Sequence, residues 1–285
     1  MNRGQLLTAA RRRLEAAGIE EGSLEGEVLL RHVLDISRAG LFAGLDSELT
    51  PGQAIAIERL LERRLKGEPT AYITGRREFY GLDFRVDRNV LIPRPESELL
   101  VEKAIGLARE HRLSLIADIG TGSGAIAVSL AVVLPDVTIY ATDISAAGLE
   151  LARENVRYHG VEGRISFLRG NLLEPLPGPV DMIVANLPYV RRSDLPPGGP
   201  LSYEPALALD GGEDGLEVLR LICGQAGGKL RPDGFLLLEI GQGQAGQVAD
   251  LLNQVFPSSR IEVDRDLAGI ERLVSVRLTE QRVQC

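Results

Sequence analysis

The chain has 285 residues, 44% hydrophobic and 25% charged, with no Trp, six Tyr and six Phe; that is enough core material for one catalytic-sized domain and a smaller companion. A formal charge of −8 removes the long-range attraction for phosphate on which most nucleic-acid binders depend, so a protein or small-molecule substrate is favoured. Cys223 and Cys285 are too few for a disulfide framework or thiolate metal site, and His32, His111 and His159 lack metal-ligand spacing, so no metal is expected.

No apolar run approaches the roughly 20 residues of a membrane span, and "MNRGQLLTAARRRLEAAG" lacks the apolar stretch of a signal peptide. Cytoplasm is therefore the expected location, with both thiols reduced. From Gln5 to about Gly67 the apolar positions recur with a helical period: Leu6, Leu7, Ala10 and Leu14, then Val28, Leu29, Val33 and Leu34, then Ile55, Ile57, Leu60 and Leu61. Breaks fall at "GIEEGS", "DISRAG" and "LTPGQ", where Thr50 and Pro51 read as an N-cap and first helical residue. The run Arg11, Arg12, Arg13 is followed by Glu15, Glu20 and Glu21 and reads as a solvated helix face. This front module, residues 1–75, carries no polar cluster suited to chemistry.

The stretch "EFYGLDFRVDRNV" switches to alternation with Gly81 at a turn, predicting a hairpin within a linker over residues 76–95. After "LIPRPESELL" a helix resumes, and from Leu113 strands and helices alternate. The predicted strands are "SLIADIG", "VTIYATDI", "RISFLRG", "DMIVANL", "GFLLLEIG" and "RLVSVRL"; the predicted helices lie near 123–133, 145–159, 213–228 and 243–255. Such alternation implies an α/β domain over residues 96–285, a doubly wound and mostly parallel sheet covered on both faces. Ligands in those sheets bind beyond the carboxyl ends of the strands, so the residues that end each strand are the first candidates.

The first strand runs into "ADIGTGSGAIAVSLA", where Gly120, Thr121, Gly122, Ser123 and Gly124 join strand to helix. Glycine there allows a tight turn and lets a ligand touch the main chain beside the amides of the helix start. About twenty residues on, the second strand ends at Asp143, where a carboxylate can accept two hydrogen bonds from a ribose diol. Together they indicate an adenosine-containing cofactor. Gly120, Gly122 and Ala125 also satisfy the dinucleotide form of the loop, so the glycines alone leave the cofactor open. Asp118, two residues before the first glycine, and the third glycine at 124 favour S-adenosylmethionine, because an acid there suits a cationic methionine end and would repel a pyrophosphate.

The fourth strand ends "DMIVANLPYV", beside the glycine loop in a doubly wound sheet. Methyl transfer to a planar amide or amino nitrogen is hard because its lone pair is delocalised. Acceptors on both N–H bonds orient the nitrogen and favour its more pyramidal, positive transition state. The Asn186 side-chain carbonyl and the Leu187 main-chain carbonyl can be those acceptors. Pro188 holds Leu187 out of the α region and aims its carbonyl outward, and Tyr189 can lie against a flat acceptor group.

"NLPY" resembles the Asn/Asp-Pro-Pro-Tyr motif of amino-group methyltransferases. With "GEPTAYITGRREFYGLDFRV", "VLIPRPESELLVE", "DIGTGSGAIAVSLA", "GNLLEPL" and "YEPALALDGGEDGLE", nearly the whole chain resembles the peptide chain release factor glutamine methyltransferases, the HemK/PrmC family. The resemblance implies a seven-stranded class I S-adenosylmethionine-dependent methyltransferase fold, a helical domain that contacts the release factor, and methylation of the glutamine amide in its Gly-Gly-Gln tripeptide. It also implies that Gly120 to Gly124 and Asp143 hold S-adenosylmethionine, that Asn171 and Leu172 lie near the adenine, and that Asn186 to Tyr189 hold the glutamine, with Asn186 also beside the cofactor. Two departures are visible: Leu187 stands for the commoner first Pro, and Asn171 for the usual Asp. Leu187 still offers a carbonyl, and Asn171 keeps an acceptor for the adenine amino group.

The rival readings are a ribosomal-protein glutamine methyltransferase, an adenine-N6 nucleic-acid methyltransferase, a nicotinamide-dependent oxidoreductase and a non-catalytic binding module. "LIPRPESE" fits the release-factor branch better than the ribosomal one. The acidic composition disfavours nucleic acid, the oxidoreductase leaves Asn186 to Tyr189 without a task, and a binding module accounts for the front helices alone. The Pro- and Gly-rich stretch "RRSDLPPGGPLSYEPALALDGGEDG" is long for a loop and suits a cover over the substrate site.

Overall fold

The computed structural model describes residues 1–257 and 259–278, so Cys285 lies outside the described residues. The chain divides into two units: Met1–Arg76 together with Gly198–Tyr203, and Arg77–Pro197 together with the described residues from Glu204 onward.

The first unit holds α1 (Arg3–Ala16), α2 (Gly22–Leu34), α3 (Arg38–Ala43), α4 (Pro51–Leu65) and α5 (Thr70–Thr74). Three of its helix starts, those of α1, α3 and α4, are written in the sequence. Asn2 with Gln5 and Thr50 with Gln53 form reciprocal capping boxes, Ser37 caps α3 through the Gly40 amide, and Pro51 takes the first helical position of α4. Leu6, Ala10, Leu14, Leu29, Leu30, Leu41, Ile57 and Leu61 form the core. A Cβ on Gly22 would lie 2.9 Å from the Leu14 Cβ, so α1 and α2 approach closely there. The Arg64 guanidinium pairs with the Glu25 carboxylate, which also accepts from the Thr70 hydroxyl at 2.9 Å. Tyr203 donates its hydroxyl to the Lys66 carbonyl at 3.2 Å.

The second unit begins within the hairpin of β1 (Arg76–Phe79) and β2 (Leu82–Arg85), one residue into β1. Tyr80 and Gly81 both take positive φ, 53° and 71°, as a two-residue turn between twisted strands requires. Then follow α6 (Glu98–His111), β3 (Leu115–Ile119), α7 (Ala125–Val133), β4 (Thr138–Asp143), α8 (Ala146–Tyr158), β5 (Ile165–Arg169), β6 (Val180–Ala185), α9 (Glu217–Ala226), β7 (Leu230–Glu239), α10 (Ala245–Val255), β8 (Arg260–Arg265) and β9 (Glu271–Arg277).

The sheet has seven strands in the order β5-β4-β3-β6-β7-β9-β8. The pairings from β5 to β7 are parallel, and β9 pairs antiparallel with both β7 and β8. One apolar cluster fills each face, the first including Ile116, Val128, Ile139 and Val184, the second Ile119, Ile183, Leu219 and Leu236. The chain leaves β3 toward β4 on one side and returns to β6 on the other, so the winding reverses between β3 and β6. Ile119 pairs with Ala185 at that point, which sets the glycine loop and the Asn-Leu-Pro-Tyr turn side by side.

Candidate active site

Beyond the ends of these strands lies a cavity of about 500 Å³. Its floor comes from the loop between β3 and α7. Gly120, Gly122 and Gly124 all hold left-handed backbone, with φ of 71°, 54° and 79°, a region costly for residues with a Cβ. Two of them also permit close approaches: a Cβ would stand 3.0 Å from Leu187 Cδ2 at Gly120 and 3.2 Å from Ala152 Cβ at Gly124. At Gly122 a Cβ would meet no atom nearer than 3.9 Å, and this residue, with Thr121 and Ser123, lines the cavity. Asn155 on α8 steadies the loop from behind: its amide donates to the Ser123 carbonyl at 2.8 Å and to the Arg85 carbonyl at 3.0 Å.

Asp143 ends β4 at the cavity wall. One carboxylate oxygen accepts from the Gly122 amide at 2.9 Å and the other from the Ser145 amide at 2.8 Å, which leaves lone pairs on both. Next to it, Thr142 donates its hydroxyl to the Leu172 carbonyl at 3.0 Å and holds Leu172 at a φ of 48°. Asn171 and Leu172 also line the cavity. The Asn171 amide nitrogen donates to Glu174 at 3.2 Å, so its carbonyl oxygen is the free end.

Asp118 is placed otherwise than a partner for the cationic methionine end would require. It is fully buried beneath the loop and does not line the cavity. One carboxylate oxygen accepts from the Thr121 hydroxyl at 2.6 Å and the Ala127 amide at 3.2 Å, near the start of α7. The other oxygen is buried without a hydrogen-bond partner. Burial, opposed by those two donors, pushes its carboxyl up to about 7.

Asn186, Leu187 and Pro188 line the cavity opposite Asp143, and Leu187 packs against Gly120. The Asn186 amide nitrogen donates to the Ser97 hydroxyl at 2.9 Å. Tyr189 does not line the cavity: its hydroxyl donates to Glu239 at 3.3 Å, and burial beside that acid pushes the phenol above its usual range. Glycines wall it in, since a Cβ on Gly215 would lie 2.5 Å from the Tyr189 carbonyl oxygen and one on Gly211 would lie 2.8 Å from its Cα. The Gln244 amide nitrogen donates to the Tyr189 and Gly215 carbonyls at 3.0 and 3.2 Å, while its oxygen accepts from the Gly241 amide at 2.8 Å.

The remaining wall brings "PRPES" and "YEPALALD" together. Glu204, almost fully buried, pairs with Arg94 and accepts from the Ile92 amide at 3.1 Å. Val190 bridges to Asp210 in parallel fashion, with the Val190 amide on the Leu209 carbonyl at 3.0 Å. Residues 204–215 are therefore a bonded wall, and Pro205 to Ala208 face the cavity.

Sequence reading did not single out Ser97, Asn155, Glu204, Glu239 or Gln244. Of these, Glu239 had a usable signal: it ends a buried apolar strand as Asp143 does. Cys223 is buried in α9, and desolvation pushes its thiol up to about 12, so it is chemically inert.

Comparison with known proteins accords with this geometry. The PrmC N-terminal domain family matches residues 5–75 and the Methyltransferase small domain family matches residues 96–196. The chain is 45% identical over 271 residues to a release factor glutamine methyltransferase from Moorella thermoacetica, covering 94% of this chain and 95% of that one. It is 42% identical over 290 residues to one from Bradyrhizobium diazoefficiens, covering 96% and 95%. Among solved structures, a ribosomal protein L11 methylase from Lactobacillus delbrueckii subsp. bulgaricus superimposes with a TM-score of 0.52 at 22% identity, over 69% of this chain and 86% of that one, a likeness of fold. Matched from end to end at such identity, the chain belongs to the release factor glutamine methyltransferase family.

Proposed function

We propose that this methyltransferase moves a methyl group from S-adenosylmethionine to the side-chain amide nitrogen of the glutamine in the Gly-Gly-Gln tripeptide of peptide chain release factors. One observation carries the reading: the Asn186 amide nitrogen is engaged by Ser97, which leaves its carbonyl oxygen for the cavity that the glycine loop and Asp143 share. The relatives named as release factor glutamine methyltransferases support the choice of substrate.

The residues fit the adenosyl group. Asp143 keeps free lone pairs for a ribose diol, Asn171 presents a carbonyl oxygen suited to the adenine amino group, and Leu172 offers an apolar surface beside it. Open space above Gly122 leaves its backbone reachable. Asp118 contributes from beneath, by fixing Thr121 and the start of α7. When bound, S-adenosylmethionine supplies an electrophilic methyl on a sulfonium.

The protein's part is orientation. Asn186 Oδ1 and the Leu187 carbonyl accept the two amide N–H bonds of the glutamine and turn its nitrogen lone pair toward the methyl. As the N–C bond forms and the C–S bond breaks, positive charge grows on that nitrogen, where two carbonyl dipoles favour it. The nitrogen then loses one proton to water, because an N-alkylated amide cation is strongly acidic, and no charged base is needed. Pro188 fixes the aim of the Leu187 carbonyl, and Tyr189 braces the turn through Glu239. The helical unit serves as the surface for the release factor.

The test is transfer of labelled methyl from S-adenosylmethionine to purified release factor, ribosomal protein and duplex DNA in parallel. Label is expected on the release factor alone. Label on ribosomal protein alone would move the assignment to that substrate, and label on DNA alone would make this an adenine-N6 enzyme.

A further inference from the structure

Ser97 occupies the N-cap position of α6, where a serine ordinarily spends its hydroxyl on the amide of the helix's third residue. Here it makes no such bond. It accepts instead from the Asn186 amide at 2.9 Å, 89 residues away in sequence, while only 2% exposed itself. A hydroxyl so placed does not by itself decide which end of an Asn faces it, because it can accept from the amide nitrogen or donate to the amide oxygen equally well.

In the structure the hydroxyl takes the nitrogen: the Asn186 amide donates to it, and both residues line the cavity wall. Glu239, 2% exposed at the end of β7, accepts the Tyr189 hydroxyl at 3.3 Å on one oxygen, while its other oxygen is buried without a hydrogen-bond partner; burial raises its carboxyl to about 7.

We propose that Ser97 is a positioning residue that keeps the Asn186 amide turned with its carbonyl oxygen toward the substrate. The inference rests on the reading above, in which that oxygen accepts a glutamine N–H. Turned the other way, Asn186 would set its NH2 against the substrate's NH2, a donor facing a donor, and the nitrogen would not be oriented for attack. The device therefore acts on turnover and not on the hold upon the adenosyl group, which lies with Asp143 and Asn171.

The experiment measures steady-state methylation of release factor together with S-adenosylmethionine affinity by calorimetry for Asn186→Ala, Ser97→Ala and Ser97→Thr in the full chain. Ser97→Ala is expected to lower kcat by about 30-fold, a misorientation cost, with the KM for release factor and the cofactor Kd within about threefold of the parent. Ser97→Thr keeps the hydroxyl and is expected to recover to within about threefold. If Asn186→Ala turns over normally, the functional reading itself falls. If Asn186→Ala is inactive while Ser97→Ala matches the parent, or if Ser97→Ala loses kcat and cofactor affinity together without rescue by Thr, the reading stands and this inference is overturned.

Discussion

At the scale of single residues, the site engages the nitrogens of two side-chain amides, one through a carboxylate and one through a hydroxyl. Glu174 takes the Asn171 nitrogen, and Ser97 takes that of Asn186. This gives the Asn at 171 a physical sense: it keeps an acceptor without adding a charge to a wall that already carries Asp143. Asp118 supports a prediction about pH. Its carboxyl is raised from 3.8 to about 7, so the folded state binds the proton more tightly than the unfolded chain does. Its contribution to stability is thus present at low pH and lost as pH rises through about 7. The Asp118→Asn variant does not titrate there, so its melting temperature is expected to fall less than the parent's between about pH 5 and pH 8. Thermal scans across that range check it, and parallel curves would remove Asp118 as the titrating group. Glu239, raised in the same direction, keeps some slope in both proteins. Of these residues, Asp143, Asn186 and the glycines were legible because each is a local demand: a left-handed turn, a strand-end acid, a strand ended by an amide and Pro. Ser97 was not, since its hydroxyl spans 89 residues and a Ser before a helix reads as an ordinary cap.

At the scale of elements, periodicity carried most of the fold. Thr50 and Pro51 start α4 as expected, and the alternation of strands with helices yields the parallel core of the sheet. β8 was missed. It is an edge strand in which Arg260, Glu262 and Asp264 alternate with Ile261 and Val263, and charge that protects an edge from pairing also hides it from a search for apolar runs. The conformation of the wall from Glu204 to Gly215 was not legible either, because its bonds reach Ile92, Arg94, Val190 and Gln244, none of them a neighbour in sequence. The glycine at 215 joins that wall to the Asn-Leu-Pro-Tyr turn. A methyl there would sit 2.5 Å from the Tyr189 carbonyl and 2.9 Å from Gln244 Nε2, at a φ of 78°. Gly215→Ala is expected to displace Tyr189 and lower kcat by roughly 10- to 100-fold, with stability reduced by about 1–3 kcal/mol. Kinetics with chemical denaturation test both, and a parent-like kcat would show that the turn does not depend on this wall.

At the scale of the whole molecule, the chain passes from the helical unit into the methyltransferase unit at residue 76, then contributes Gly198–Tyr203 back to the first before finishing in the second. That returning segment is tied by the Tyr203 hydroxyl on the Lys66 carbonyl, 137 residues apart. Tyr203→Phe is expected to cost the helical unit about 1 kcal/mol, read by hydrogen exchange of α4, while cofactor affinity stays within about twofold; unchanged protection would show that the hydroxyl does not bind the segment. The same arrangement bears on ancestry. Joining two free-standing genes end to end brings together the first 76 residues and a separate catalytic frame, but it cannot supply six residues lodged inside that frame. A module transplanted as the first 76 residues alone would therefore arrive without that short piece and without the Tyr203–Lys66 hydrogen bond.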